Sequence, residues 1–224
     1  MRPFFKTRRF IAYTLLILGI GIGVIVILPI VSYHALVKQK YPELISPLVS
    51  PDDYKSGFIA SNYTRAGSWF LDNIGSEDFD ESVVISYFIS IPELDINDAT
   101  VNIGGDDLSK SLIHYPGTAL PGRPGNAVIF GHSILPIFYN PKNYLAIFSK
   151  LPHLNKGDEI FIDYDGVTYV YSVNDYFEVR PTDIQILAQE TGSVNLTLVT
   201  CTPPGDPRKP NRLIVRAELK TGVR

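Results

Sequence analysis

Residues 197–201 read Thr-Leu-Val-Thr-Cys, an alternating polar and apolar run that ends in Cys201, the only cysteine of this 224-residue chain. Such alternation is typical of a β-strand, and the Thr-Pro-Pro-Gly sequence at 202–205 is typical of a loop. A strand end that presents a thiol at a loop is a suitable place for a nucleophile, which attacks as the thiolate. Groups that activate Cys201 are therefore expected elsewhere in the chain.

The N-terminal segment predicts a membrane anchor. A basic stub, 1–9, precedes the segment 10–32, which contains no charged residue. As a helix this segment would be roughly 34 Å long, enough to cross the hydrocarbon core of a bilayer. We interpret it as an uncleaved, single-pass signal anchor in the cell membrane, with a cytoplasmic N-terminus and an extracytoplasmic remainder. The alternative is a cleaved signal peptide, whose apolar region would be shorter and end in a small-x-small site.

Charge and cysteine content limit the class of partner. The chain has 20 basic and 23 acidic residues, and four of the basic residues lie in the stub. The remainder therefore holds 16 basic against 23 acidic residues, which argues against nucleic acid as a partner. A single cysteine also excludes an intramolecular disulfide framework.

Composition divides the outer part into two regions. Residues 33–82 contain scattered prolines after the membrane segment, and we predict an extracytoplasmic stalk. Apolar residues at helical spacing predict a helix at 58–74, either packed on the domain or forming a movable cover over the site. Residues 83–224 are predicted to form the catalytic domain.

Short apolar runs predict a mostly β catalytic domain. Asp165-Gly166 predicts a two-residue hairpin turn, and residues 144–151 could form a helical turn. This succession predicts a closed antiparallel sheet. The clearest predicted strands are 83–91, 127–130, 159–164, 167–174, 194–201 and 212–219.

Among the four histidines, His132 is the best candidate to exchange protons with Cys201. It follows a predicted strand and Gly131, which would let the backbone approach closely. His34 lies too near the membrane segment, and His153 is expected on a surface loop. His114 is predicted in a turn, with a hydrogen-bonded structural role.

Two arginines of the last strand could stabilise an oxyanion. If strands 194–201 and 212–219 pair as neighbours, Cys201 lies beside Arg212, whereas Arg216 lies about 13 Å further along the strand. Arg212 is therefore preferred, and a solvated strand charge is the alternative for either side chain. Alternation also predicts that Leu213, Val215 and Ala217 face the core, together with Leu219.

Five motifs occur in the order found in sortases. The runs are LIHYPGTALPG at 112–122, GNAVIFGHS at 125–133, GDEI at 157–160, TLVTC at 197–201 and RLIV at 212–215. The region 83–219 therefore resembles the sortase family. The resemblance implies an eight-stranded β-barrel with short helices, anchored by the N-terminal membrane helix, that acts as a cysteine transpeptidase.

The resemblance also implies the chemistry of individual residues. Cys201 would attack the threonyl carbonyl of an LPxTG-like sorting signal and form a thioester, which an amine would resolve. His132 would be the proton donor and acceptor, and Arg212 would orient substrate and stabilise the oxyanion. Thr200 is additionally assigned to substrate binding. The expected partners are surface proteins with a C-terminal sorting signal and an amine acceptor from the cell wall or a protein, with no metal or organic cofactor.

Several features favour a subgroup with a single N-terminal anchor. No second hydrophobic segment precedes Arg224, and no Asp-Pro-aromatic lid sequence precedes the barrel. Thr202-Pro203-Pro204 after the cysteine is similar to class D or related sortases. We therefore expect a class D-like enzyme rather than a pilus-polymerising one.

Two other functions remain open from the sequence. The protein could be a membrane-tethered cysteine endopeptidase with water as the acceptor, since shielding of the acyl-enzyme from water is not readable from the sequence. It could also be a non-catalytic barrel that binds peptides. Ligation to an added amine would separate transfer from hydrolysis, and a Cys201→Ala variant that retained the cellular phenotype would favour the binding protein.

Overall fold

The computed structural model describes residues 12–25, 27–28, 31–32, 86–206 and 211–220. The chain separates into two compact units, Met1–Lys40 and Tyr41–Arg224. The predicted stalk at 33–82 and the predicted helix at 58–74 lie outside the described residues.

In the first unit, the described residues 12–25, 27–28 and 31–32 are helical and mostly exposed. None of the helices in the described part of the chain combines the length and the hydropathy needed to span a membrane.

Eight strands form a closed barrel in the second unit, which confirms the mostly β, eight-stranded architecture. Neighbouring strands follow the order β1-β2-β3-β4-β7-β8-β6-β5 around the barrel. Short 3-10 helices cover Pro92–Leu94, Pro136–Phe138, Leu151–His153 and Ile184–Leu187. The strands are β1 (Ser86–Ile91), β2 (Ile96–Ile103), β3 (Leu112–His114), β4 (Gly125–Phe130), β5 (Glu159–Tyr164), β6 (Val167–Val179), β7 (Val194–Thr202) and β8 (Asn211–Leu219).

The prediction of an entirely antiparallel sheet was wrong in two places. β2 pairs with β3 in parallel, and β4 pairs with β7 in parallel. A parallel pair needs a long crossover connection, and here β5 and β6 lie in the chain between β4 and β7. Hairpin signals report neighbours in the sequence, so they could not reveal this long-range pair.

Two strands, β2 and β3, were missed, and the largest error at a strand end is in β6. β3 has only three residues, all buried, so it shows no periodicity. β2 has two adjacent exposed residues, which breaks the alternation of apolar and polar positions. β6 continues to Val179, beyond the predicted end at Asn174. Its register with β8 shifts between Val173 and Asp175, which marks a bulge at the predicted end. Such a bulge reverses the apparent alternation and hides the second half of the strand.

The two predicted turn elements agree with the structure. Tyr164 pairs with Val167, and the intervening Asp165 and Gly166 have φ angles of 52° and 75°. Two positive φ angles are those of a type I′ hairpin turn. The segment 144–151 consists of turns whose amides bond to the carbonyl three residues earlier, as in Ser149 to Ala146, so its helical turn is of the 3-10 type.

The predicted inward face of β8 is confirmed at Leu213, Val215 and Ala217, each at most 1% exposed, whereas Leu219 at the end of the strand is only half-buried. Burial of an aliphatic side chain of this size stabilises the fold by about 1.5–3 kcal/mol for valine or leucine. A one-residue slip would turn this whole set to the other face, so these side chains fix the register of β8.

Candidate active site

Cys201 and Arg212 are direct partners across β7 and β8. Opposite residues of an antiparallel pair have Cα atoms roughly 4.5–5.5 Å apart, and their side chains share one face of the sheet. The predicted pairing of these strands is therefore confirmed, and Arg216 lies further along, opposite Thr197. The register brings the only thiol of the chain and one guanidinium to the same end of the barrel.

The segment after β4 brings His132 to the same place. The Thr200 hydroxyl donates a hydrogen bond of 2.8 Å to the carbonyl of Gly131, and the Ser133 hydroxyl donates one of 2.7 Å to the carbonyl of Cys201. Because His132 lies between Gly131 and Ser133, its backbone runs alongside residues 200–201. The structure thus assembles the three predicted catalytic residues from three different strand ends.

An apolar group, which we call the Cys201 cluster, surrounds the thiol. Cys201 is buried and forms no disulfide, and His132 and Arg212 are only 4% and 2% exposed. A peptide therefore reaches Cys201 only when neighbouring side chains move. The cluster contains Leu108, Ile113, Val128, Phe130, Val179, Ile186, Val199, Cys201 and Ile214, with Tyr115, Phe177 and Leu187 packed against it.

Hydrogen bonds hold the His132 backbone and the Arg212 side chain in place. The amide of Phe148 donates to the His132 carbonyl at 3.0 Å, and Arg212 Nη1 donates to the Asn211 carbonyl at 3.1 Å. Such an arrangement can hold a nucleophile, a proton-exchanging imidazole and an oxyanion-stabilising cation in one place, which is the set that acyl transfer needs.

The Sortase domain family matches residues 89–220, which include every residue of this site. The chain belongs to the sortase family. The match contains His132, Cys201 and Arg212, the residues that the sequence motifs singled out.

Individual sortases show the extent of the similarity. The chain is 30% identical over 136 residues to Sortase A of Streptococcus agalactiae serotype III (strain NEM316), a match that covers 60% of this chain and 53% of that protein. The chain thus spans about half the length of this curated relative.

Solved sortase structures share the barrel. The Clostridium perfringens Sortase D5 transpeptidase superposes with a TM-score of 0.52 at 28% identity, covering 61% of this chain and 79% of the other. Sortase C-1 from Actinomyces oris superposes with a TM-score of 0.55 at 29% identity, and the match covers 63% of this chain and 77% of the other. The matched proteins are named Sortase A, Sortase C-1 and Sortase D5, so the comparisons establish the family but do not select a subgroup. The class D-like subgroup stays a prediction.

Gly131 lets the backbone before His132 pack closely against the core of the domain. A Cβ atom there would lie 2.3 Å from Phe148 Cδ2 and 2.6 Å from Leu112 Cδ2, and both side chains are completely buried. This agrees with the expectation that a glycine lets the backbone approach closely before His132.

A Gly131→Ala variant is therefore expected to lower the free energy of unfolding by about 1–3 kcal/mol, because the added methyl group overpacks the core. It should also displace His132 and reduce activity. Chemical denaturation would measure the stability change. Gly192→Ala is the matched control, since no atom lies within 4 Å of its Cβ position. Equal stability of the two variants would contradict the packing argument.

Thr200 is completely buried, and its hydroxyl bonds to Gly131 as described above. This contact gives Thr200 a part in aligning β7 with the His132 segment. Its assignment to substrate binding stays a prediction.

The other histidines take different places. His153 is exposed at the end of the 3-10 helix Leu151–His153, as expected for a surface residue, and His34 lies outside the described residues. His114 belongs to β3 rather than to the predicted turn, because it pairs with Ile129 of β4.

The structural role predicted for His114 agrees with its surroundings. The side chain is buried, with Tyr87 Oη 2.8 Å from Nδ1 and Thr118 Oγ1 3.1 Å from Nε2. Thr118 Oγ1 donates to the carbonyl of Tyr115, so it accepts from Nε2–H, and Tyr87 donates to Nδ1. These partners match a neutral imidazole, and burial lowers the pKa of His114 from 6.5 to about 4.

This shift predicts that the domain loses stability as the pH falls from about 6.5 to 4. Within this window an unfolded His114 binds a proton while the folded one does not, so the unfolded state gains protons and is favoured. The contribution is at most about 3 kcal/mol. Denaturant melts of wild type and His114→Gln across this range would measure it, with His153→Gln as the exposed control. An unchanged pH dependence of stability in His114→Gln would contradict the role of His114.

Sequence reasoning missed Ser133, although it directly follows His132 in the Gly-His-Ser motif. A short polar side chain beside the candidate base was the available signal, but its partner, the Cys201 carbonyl, is distant in sequence. Among the described residues, no group of three or more His, Cys, Asp and Glu side chains is arranged to hold a metal ion.

Proposed function

We propose that this chain is a membrane-anchored sortase transpeptidase. It cleaves an LPxTG-like sorting signal in a surface protein through a thioester on Cys201 and transfers that protein to an amine acceptor at the cell surface. The observation that carries the proposal is the cross-strand pair of Cys201 and Arg212, with His132 held alongside through Ser133.

In the acylation half, the Cys201 thiol gives its proton to His132, and the sulfur attacks the threonyl carbonyl carbon to form a C–S bond. Negative charge develops on the carbonyl oxygen, and the Arg212 guanidinium stabilises it. As the tetrahedral intermediate collapses, the C–N bond breaks and His132 gives a proton to the departing amine. The products are a thioester on Cys201 and the C-terminal remnant of the substrate.

In the transfer half, the nitrogen of the acceptor amine attacks the thioester carbonyl carbon. His132 takes a proton from this nitrogen, Arg212 again stabilises the oxyanion, and the C–S bond breaks. A new amide is formed and the Cys201 sulfur is released. Water as the acceptor would give hydrolysis by the same steps.

The Cys201 cluster supports a substrate with apolar residues before the scissile bond. Aliphatic and aromatic side chains surround the thiol, so a Leu-Pro pair would exchange water for apolar contacts once these side chains open. An apolar wall would also keep water away from the thioester, which favours a bound amine over hydrolysis.

The uncharged segment 10–32 supports the anchor, because its length as a helix matches the bilayer. Within it, residues 12–25 are helical. Anchoring would hold the catalytic domain outside the membrane, where surface proteins and cell-wall amines are both available. The single-anchor, class D-like subgroup belongs to the same proposal.

The test is transfer of a peptide to an amine. The full chain in detergent is incubated with a panel of LPxTG-like peptides, with and without triglycine, and the products are identified by mass spectrometry. The proposal predicts cleavage after threonine and a triglycine-ligated product. Cleavage at the same rate without any ligation to triglycine would support the endopeptidase instead.

A further inference from the structure

A buried carboxylate lies next to the catalytic pair and is not part of it. Glu178 is in β6, where it faces Leu213 of β8, and the following residue, Val179, faces Arg212. Only 9% of Glu178 is exposed. A buried acidic side chain is costly unless it is hydrogen-bonded, so its partners indicate what it stabilises.

Glu178 joins the ends of three strands. Its Oε1 accepts a hydrogen bond of 3.1 Å from the Thr202 hydroxyl in β7, and its Oε2 accepts one of 3.2 Å from Asn211 Nδ2 in β8. Thr202 and Asn211 face each other, directly beyond the pair of Cys201 and Arg212. The carboxylate therefore holds β7 and β8 together at the last pair before the connecting loop.

The hydrogen bond between Asn211 and Glu178 connects the carboxylate to the Arg212 side chain. The Asn211 carbonyl accepts the hydrogen bond from Arg212 Nη1, so the residue held by Glu178 in turn holds the guanidinium. The other contact reaches Thr202, whose backbone follows Cys201 directly. Cys201 and Arg212 are thus the sequence neighbours of Thr202 and Asn211, the two residues hydrogen-bonded to Glu178.

Strand alternation separates Glu178 from the reacting groups. Val179 and Arg212 share one face of the β6 and β8 pair, whereas Glu178 and Leu213 share the other. Because Cys201 is the partner of Arg212 in β7, it lies on the Arg212 face. Glu178 therefore lies on the opposite face of the sheet from Cys201 and Arg212.

We infer that Glu178 is a positioning residue that sets Arg212 through Asn211, and Cys201 through Thr202, for acyl transfer. This inference rests on the proposed function for its catalytic consequence. Its structural part, the placement of the Arg212 guanidinium, can be measured without any substrate.

Three variants separate positioning from general stability. Glu178→Ala removes both contacts. Glu178→Gln keeps both possible, since its amide oxygen can accept from Asn211 and its amide nitrogen can donate to the Thr202 hydroxyl. Glu218→Ala makes the same truncation at an exposed position of β8 and serves as the control. Thermal melts of all three show which variants are folded.

The first readout is the side-chain Nε–H signal of Arg212 in the ¹⁵N NMR spectrum, assigned with an Arg212→Lys variant. Glu178→Ala should shift this signal and speed its exchange with water, whereas Glu178→Gln and Glu218→Ala should leave it close to wild type. An unchanged Arg212 signal in folded Glu178→Ala overturns the inference. If Glu178→Ala does not fold, Asn211→Ala, which removes one arm only, is expected to shift the same signal.

The second readout is steady-state kinetics with an LPxTG-like peptide. Since a misplacement of about 1 Å can cost about 10²-fold in rate, Glu178→Ala should lower kcat by about 10-fold or more with little change in KM. In an Arg212→Ala background the same change should have a much smaller effect. Equal effects in both backgrounds, or a Gln variant as impaired as the Ala variant, would overturn the hydrogen-bond relay. If wild type turns over no peptide, the proposed function fails while the NMR result still decides the position of Arg212.

Discussion

Replacing Cys201 with Ala is expected to abolish peptide cleavage, lowering kcat/KM by about 10⁴-fold or more. The reason is chemical, because each half of the proposed reaction forms or breaks a bond to the Cys201 sulfur. The side chain is buried in the Cys201 cluster, so a smaller apolar residue should still allow the domain to fold. Steady-state cleavage of an LPxTG-like peptide would measure the loss.

Cys201→Ser is the companion variant. It keeps an atom of similar position at the end of β7 but replaces the thiol with a much less reactive hydroxyl, so it should also be inactive. Circular dichroism would confirm that both variants are folded. Cleavage by folded Cys201→Ala at a rate near that of wild type would contradict the role of Cys201 as the nucleophile.

The second large effect is expected at Arg212. Arg212→Ala should lower kcat by about 10²–10³-fold, the usual cost of losing one group that stabilises an oxyanion. Arg212→Lys keeps the charge but not the guanidinium fork and should restore only part of the rate. Because stabilisation of the transition state is lost, the fall should lie mainly in kcat rather than in KM.

Arg216→Ala is the matched control for Arg212. It lies on the same face of β8 but opposite Thr197, with its guanidinium 5.1 Å from the centre of the Phe177 ring. Its loss should change kcat by less than about 3-fold, since surface contacts of this kind are weak. Similar losses at Arg212 and Arg216 would contradict the choice of Arg212.

The sequence identified the strands whose residues alternate and the turns with a distinct signature. β5 was predicted with its observed ends, and Asp165-Gly166 marked its hairpin with β6. β3 is too short for periodicity, and the bulge near Asn174 hid the second half of β6. In each case local geometry, rather than composition, decided whether a pattern was visible.

The same distinction applies to the candidate site. Cys201 and Arg212 could be paired from the sequence because β7 and β8 are consecutive strands joined by one loop. The parallel pairing of β4 and β7 could not, and it is this pairing that aligns the segment around His132 with Cys201. Glu178 gave no signal either, since its partners Thr202 and Asn211 are 24 and 33 residues away.

The most direct test of the central claim is the intact mass of the full chain after brief incubation with an LPxTG-like peptide. We expect an increase equal to the acyl part of the peptide up to threonine, located on Cys201, absent from Cys201→Ala and removed by hydroxylamine with release of the acyl hydroxamate. A folded, reduced protein that forms no such adduct with any peptide of the panel, or forms it at another residue, would contradict the assignment of Cys201 as the acyl-accepting nucleophile.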